Sequence, residues 1–274
     1  MPALSRTVAT VAAVTLAGAV VAGCGSSNKS SSTPTSTTAT SSSSGGGGGQ
    51  VSGTVTVFAA ASLKEAFTTL GSQFEAAHPG TKVRFSFDAS SALALQINQG
   101  APADVFASAA TSNMKQVTDA GGATAPTNFV KNVMEIAVPP ANPAHIASVA
   151  DLGKPGVKVA LCQPQVPCGA SAATVFTNAK VTVKPVTLEQ DVKATLTKVQ
   201  TNEVDAGVVY VTDVRSAGKA VTGIPIPPEV NASTEYPIAA LSKAPNAAGG
   251  KAFLDYALSP AGQGVLTADG FEKP

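Results

Sequence analysis

The chain has no tryptophan, two histidines and three cysteines, and charged residues fill only 13% of its 274 positions. Each scarcity excludes something. No run of Lys or Arg occurs and the formal net charge is +1, so a nucleic-acid surface is not expected. Any anion bound here must be held by local donors and not by a basic field. The apolar run near the N-terminus, Val8 to Ala22, is too short for a good membrane span. The histidines do not suit a catalytic triad: His78 precedes Pro79 at a helix end, and His145 sits in a Pro/Ala loop. No G-x-S-x-G string is present.

What is there begins with a leader. Arg6, the apolar run and then Val21-Ala22-Gly23-Cys24 read as an export signal over 1–24. Val-Ala-Gly-Cys resembles the lipobox of bacterial lipoproteins, which implies that Cys24 is acylated and holds the protein at the outer face of the cytoplasmic membrane. A plain signal peptide with an incidental cysteine is the alternative. Loss of Arg6 with the leader brings the formal charge from +1 to zero. Residues 25–53 follow as a tether, rich in Ser, Thr and Gly and ending in the glycine run Gly45–Gly49. Such a segment cannot bury enough to fold, and as a random coil it spans roughly 30 Å. A glycosylated stalk is compatible with the same composition.

From Thr54 onward short β-branched or apolar strands alternate with helical segments. Strands are expected at 54–59, 82–87, 104–107, 157–161, 181–186 and 205–210, and helices at 62–77, 91–99, 111–120, 170–178, 189–201, 212–217, 246–258 and 260–268. Longer extended stretches fall at 129–138, 220–226 and 235–241. This alternation predicts an α/β fold of parallel sheets flanked by helices, with ligands beyond the carboxyl ends of the strands. Helix-start signals sit at those ends. Ser62-Leu63-Lys64-Glu65 and Thr187-Leu188-Glu189-Gln190 are candidate capping boxes, Ser90 and Ser91 precede an apolar helical series, and Gly169 opens another helix. A strand that turns into a helix presents free N–H groups and a positive dipole end to an anion.

The blocks VTVFAAASLKEAF, FSFDASSALALQINQGAPADVFASA, VPCGASAA, QDVKATL and AGVVYVTD occur in the order and spacing of the molybdate-binding proteins, the ModA family. The resemblance covers residues 54–274. It implies a two-lobed periplasmic-binding-protein fold of type II, each lobe a mostly parallel sheet flanked by helices and the two joined by crossover strands. Lobe 1 is expected over 54–131 plus 238–274 and lobe 2 over 132–237, with 129–138 and 235–241 as crossings. The implied function is binding of molybdate or tungstate outside the membrane and delivery, as a monomer, to an ABC permease and its ATPase, without catalysis or a cofactor. Carried over position by position, the oxyanion contacts fall on Ser62 and Ser90 through hydroxyl and amide, on Cys168 and Val192 through backbone amides, and on Tyr210 through its hydroxyl. These are contacts to oxyanion oxygens and not direct metal ligands. Asp88, two residues before Ser90, is a carboxylate close to the expected anion.

With Cys24 assigned to lipid, Cys162 and Cys168 remain to close a short disulfide loop. A metal site is the rival, but no His or third Cys lies near. Other functions have weaker support. Sulfate has the charge and shape of molybdate, and cavity size is not written in a sequence. Ferric-ion receptors use clustered tyrosines, whereas only Tyr210 of Tyr210, Tyr236 and Tyr256 falls in a cleft block. Ser112-Asn113-Met114-Lys115 matches the S-x-x-K motif of serine enzymes that act on β-lactams, without its S-D-N and K-T-G companions.

Overall fold

The structure is a computed structural model that describes residues 51–274; the leader, Cys24 and most of the tether lie outside the described residues. Chain order is β1 (Gly53–Ala60), α1 (Lys64–Ala77), β2 (Thr81–Asp88), α2 (Ser90–Asn98), β3 (Val105–Ala107), α3 (Thr111–Asp119) and β4 (Thr127–Val138). Then come β5 (Val159–Cys162), α4 (Pro167–Ala179), β6 (Thr187–Glu189), α5 (Val192–Gln200), β7 (Ala206–Tyr210) and α6 (Val211–Ala217). The chain ends with β8 (Thr222–Pro225), β9 (Ser233–Ala240), α7 (Ala247–Leu258) and α8 (Pro260–Ala268).

The strands run in the order β2-β1-β3-β9-β4-β7-β5-β6, with β8 against β4. The flanks are parallel: β1 pairs with β2 and β3, and β5 pairs with β6 and β7. The middle is antiparallel, because β9 and β4 each run through it against their neighbours. Along β4, residues Thr127–Val133 pair with β9 and Met134–Val138 with β7 and β8. One apolar core gathers Val55, Val57, Phe67, Phe74, Phe129, Phe253 and Leu266; another gathers Ile136, Val159, Leu161, Val175, Leu196 and Val208. Phe67, Phe74 and Phe85 all meet Phe253 edge-on at 5.4–6.0 Å, which fixes α7 to the same core as α1. Asp104 adds a polar staple: its carboxylate accepts from the backbone N–H of Thr56 at 2.7 Å and of Asn246 at 2.6 Å. Asp104, within the Gly100–Phe106 string, thus fastens the start of α7 to β1.

Three local expectations need correction. The strand expected at 181–186 is absent, and pairing starts only at Thr187. Pro185 lacks the N–H that a ladder position requires, which delays the edge strand until after it. The helix expected from 189 begins at Val192, because Thr187–Glu189 are spent on β6 and Asp191 is the cap, its Oδ1 accepting from Ala194 N at 2.9 Å. Ser62 does not cap α1. A 3-10 turn over Ala61–Leu63 precedes that helix, no side chain caps either, and the Ser62 hydroxyl bonds elsewhere. Among the described residues no helix is long and apolar enough to cross a membrane.

Candidate functional site

One cavity collects the carboxyl ends of the strands. It is lined by Ala60, Ala61 and Ser62 at the end of β1 and just beyond, Asp88, Ala89 and Ser90 likewise at β2, and Ala109 after β3. Pro167 and Cys168 at the start of α4, Asp191 and Val192 at the start of α5, and Tyr210 at the end of β7 complete it. The space is small, about 230 Å³ with its open mouth included. All five residues expected to contact an oxyanion therefore face one cavity, although Ser62 and Tyr210 are 148 positions apart (210 minus 62).

The donors are available for geometric reasons. The first N–H groups of a helix have no intrahelical partner. The caps Ala60, Ala89 and Val166 offer no side-chain oxygen to them. At α5 the Asp191 cap takes the Ala194 N–H, two positions beyond Val192. Ser90 is fully buried, and its Oγ accepts from Ala109 N at 2.8 Å, which leaves its own proton free for another acceptor. The Ser62 Oγ lies 2.8 Å from the hydroxyl of Tyr236. The Tyr210 hydroxyl is buried with no hydrogen-bond partner; Ser171 and Tyr236 stand beside it outside bonding geometry. Burial raises its pKa, so it remains a neutral donor.

No Lys or Arg lines the cavity. Lys193 follows Val192 directly, but its ammonium turns away to Glu65 at 2.7 Å and to Asp213 at 3.0 Å. Asp213, wholly buried, also accepts from Tyr210 N at 3.1 Å and so steadies the end of β7. Burial raises the Asp213 pKa against the opposing pull of Lys193; the Lys193 pKa is itself raised, its two carboxylate partners outweighing desolvation. Asp88 lines the cavity, and its Oδ1 is engaged by the next backbone N–H, of Ala89, at 2.7 Å. The cavity thus presents hydroxyl and amide donors with no cationic side chain, and its two carboxylates, Asp88 and Asp191, are each engaged by a backbone N–H. Such a set suits a fully ionised oxyanion, which offers acceptors only.

Cys162 and Cys168 are joined by a disulfide, with Cα atoms 5.8 Å apart. The loop it closes is tight. A Cβ at Gly169 would run into the carbonyl oxygen of Gln163, so only glycine fits after Cys168. Reduction is expected to cost about 2–3 kcal/mol of stability on the chain-entropy account. It is also expected to weaken oxyanion binding, because Cys168 and Gly169 open α4 at the cavity. Calorimetry on oxidised and reduced protein checks this, and equal affinities would separate the disulfide from the site.

Other sequence candidates lie elsewhere. Ser112 and Lys115 are on the exposed face of α3, with the Lys115 ammonium 2.8 Å from Asp119. His78 Nδ1 bonds the Phe74 carbonyl oxygen at 3.0 Å. Tyr256 donates to Gln73, far from the cavity residues in the fold. Among the described residues no group of three or more His, Cys, Asp or Glu is placed to hold a metal ion. Sequence reasoning missed Asp191, Tyr236 and the Glu65–Lys193–Asp213 cluster. Asp191 had a signal, an acid immediately before an apolar helical series; the others are non-local and had none.

A family model described as bacterial extracellular solute-binding protein matches residues 55–272. The molybdate-binding protein ModA of Mycobacterium tuberculosis is 43% identical over 226 residues, 82% of this chain and 87% of the relative. Two solved structures speak for the fold. The periplasmic molybdate-binding protein of Azotobacter vinelandii superposes with a TM-score of 0.72 at 18% identity, over 80% of this chain and 99% of its own. The sulfate-binding protein SubI of M. tuberculosis gives 0.71 at 18% identity, over 80% and 86%. By the family match and the 43% identity, the chain belongs to the bacterial extracellular solute-binding proteins, as a member of their molybdate-binding ModA group.

Proposed function

We propose that this protein binds molybdate, and tungstate comparably, outside the cytoplasmic membrane and hands it to an ABC permease driven by an ATPase. The observation that carries the reading is the cavity itself: five donors from distant parts of the chain around one small space that no cation lines. Ser62, Ser90 and Tyr210 give hydroxyls, and Cys168 and Val192 give backbone amides. Hydrogen bonds to a charged group contribute roughly 1.5–3 kcal/mol each. Five to seven of them, less desolvation and closure, support sub-micromolar binding of about −8 to −12 kcal/mol.

Binding by residues from two lobes, 54–131 with 238–274 and 132–237, favours the closed arrangement by the ligand's differential affinity for it, and the permease reads that state. β4 pairs with strands of both halves of the sheet and β9 lies against its first half; these two crossings are the proposed hinges. The lipobox-like Cys24 supplies the membrane anchor and 25–53 the reach. The relatives are solute-binding proteins, and the proposal includes no catalysis: the S-x-x-K lysine is committed to Asp119 on an exposed helix.

A thermal-shift panel of molybdate, tungstate, sulfate, phosphate and ferric ion tests the assignment. Molybdate and tungstate are expected to stabilise strongly. Phosphate is expected to stabilise less, since its remaining proton needs an acceptor and the two lining carboxylates, Asp88 and Asp191, are each already engaged by a backbone N–H. Stabilisation by sulfate equal to that by molybdate would move the assignment to a general oxyanion receptor.

A further inference from the structure

We infer that Tyr236 is a positioning residue of this cavity: its hydroxyl donates to the Ser62 oxygen and so turns the Ser62 proton toward the bound anion. The inference rests on the reading of the cavity as an oxyanion site. Tyr236 does not line the cavity. It is fully buried on β9, and its hydroxyl lies 2.8 Å from Ser62 Oγ across 174 positions of sequence.

Geometry alone permits either oxygen to donate, and chemistry decides between them. A phenol is the stronger donor of the two. If Ser62 gave its proton to Tyr236, its lone pairs would face an anion and repel it. With Tyr236 donating, the serine oxygen is satisfied and its own proton is left for the ligand. A hydroxyl that accepts one hydrogen bond also donates a stronger one, by about 10–30%. Burial, with Tyr210 beside it, raises the Tyr236 pKa well above its ordinary value, so the phenol keeps its proton.

The ring has little freedom to do otherwise. It packs edge-on against Phe271 at 5.4 Å and against Tyr210 at 6.2 Å, and its backbone is registered opposite Val130 on β4. One aromatic pair therefore backs two side-chain donors, Ser62 through a hydrogen bond and Tyr210 through ring contact. Fixing the Ser62 proton also sets selectivity. A ligand that still carries a proton needs a partner able to accept; Ser62 locked as a donor cannot turn to serve it, and the lining carboxylates Asp88 and Asp191 are each already engaged by a backbone N–H.

The test is a double-mutant cycle read by calorimetry, with molybdate and inorganic phosphate as ligands and wild type, Tyr236→Phe, Ser62→Ala and the double variant as proteins. Phenylalanine keeps the ring, and thermal unfolding without ligand checks that each variant is folded. Tyr236→Phe is expected to weaken molybdate binding about tenfold and to narrow the preference for molybdate over phosphate. In the Ser62→Ala background the same change is expected to do nothing further. An equal loss in both backgrounds, or no loss in either, would overturn the positioning role. Should Tyr236→Phe prove unfolded, hydrogen exchange of the Tyr236 hydroxyl proton followed by NMR in wild type and Ser62→Ala serves instead: faster exchange in Ser62→Ala supports the donated bond, and unchanged exchange overturns it. Failure of the wild-type protein to bind molybdate is a different result and removes the oxyanion reading itself.

Discussion

Replacing Lys193 with methionine is expected to lower the unfolding free energy by about 3–5 kcal/mol, the range for leaving a buried charge without its partner. The abandoned charge is Asp213, whose side chain is 0% exposed and which has Lys193 as its ion-pair partner at 3.0 Å. Methionine keeps most of the lysine stem's packing, so the loss reports the charge. Its pH dependence follows from the carboxylate. Burial already raises the Asp213 pKa in the folded protein while Lys193 lowers it. Removing the lysine lifts it further. A carboxyl whose folded pKa exceeds its unfolded one binds protons more readily when folded, so its contribution to stability falls as pH rises through that interval. The deficit of Lys193→Met is therefore expected to be largest near pH 8 and to shrink as the buffer is made acidic enough to protonate Asp213. Urea unfolding across that range measures it. A deficit below about 1 kcal/mol at every pH would class the cluster with ordinary surface pairs.

Ser90→Ala is expected to act on affinity and stability together. The hydroxyl is one of the five proposed oxyanion contacts, and its loss is expected to weaken molybdate binding by about 2–3 kcal/mol, roughly 30- to 150-fold. The same oxygen accepts from the buried N–H of Ala109 at 2.8 Å. Alanine offers no acceptor in its place, and an unsatisfied buried amide costs about 1–3 kcal/mol of stability even without ligand. Calorimetry and ligand-free thermal unfolding separate the two losses. A variant with the wild-type melting temperature and the wild-type affinity would place Ser90 outside both roles. Ser90→Thr, which keeps the oxygen, is expected to recover the stability first.

Much of the fold was legible because it is local. The change from β-branched runs to helical spacing marks each strand-to-helix junction from Val55 to Tyr210, and the helix starts that meet in the cavity are junctions of that kind. The edge strand was misplaced because Val181 and Val183 alternate well enough while Pro185 governs where hydrogen bonding can begin. Ser62 was assigned to its own helix because a capping box is the nearest bond a sequence can suggest. Its actual partner, Tyr236, is reached only after the sheet has brought β9 into the middle. Glu65 and Lys193 were unreadable for the same reason, being 128 positions apart (193 minus 65) yet 2.7 Å distant in the fold. Contacts that depend on chain crossings leave no periodic trace.

That last contact has a consequence for the empty protein. Glu65 belongs to α1 and Lys193 to α5, so their bond ties the two sides of the cavity together without any ligand. On the proposed two-lobe reading, whatever free energy it contributes raises the resting population of the closed form. A receptor partly closed at rest loses less of its intrinsic affinity to the conformational step, since apparent affinity scales with the competent fraction. On the same reading it would present the proposed permease with a smaller difference between loaded and empty. With the glutamate side chain 44% exposed, the bond is open to screening by salt. Raising the ionic strength is therefore expected to lower that resting population, through a contact outside the cavity lining.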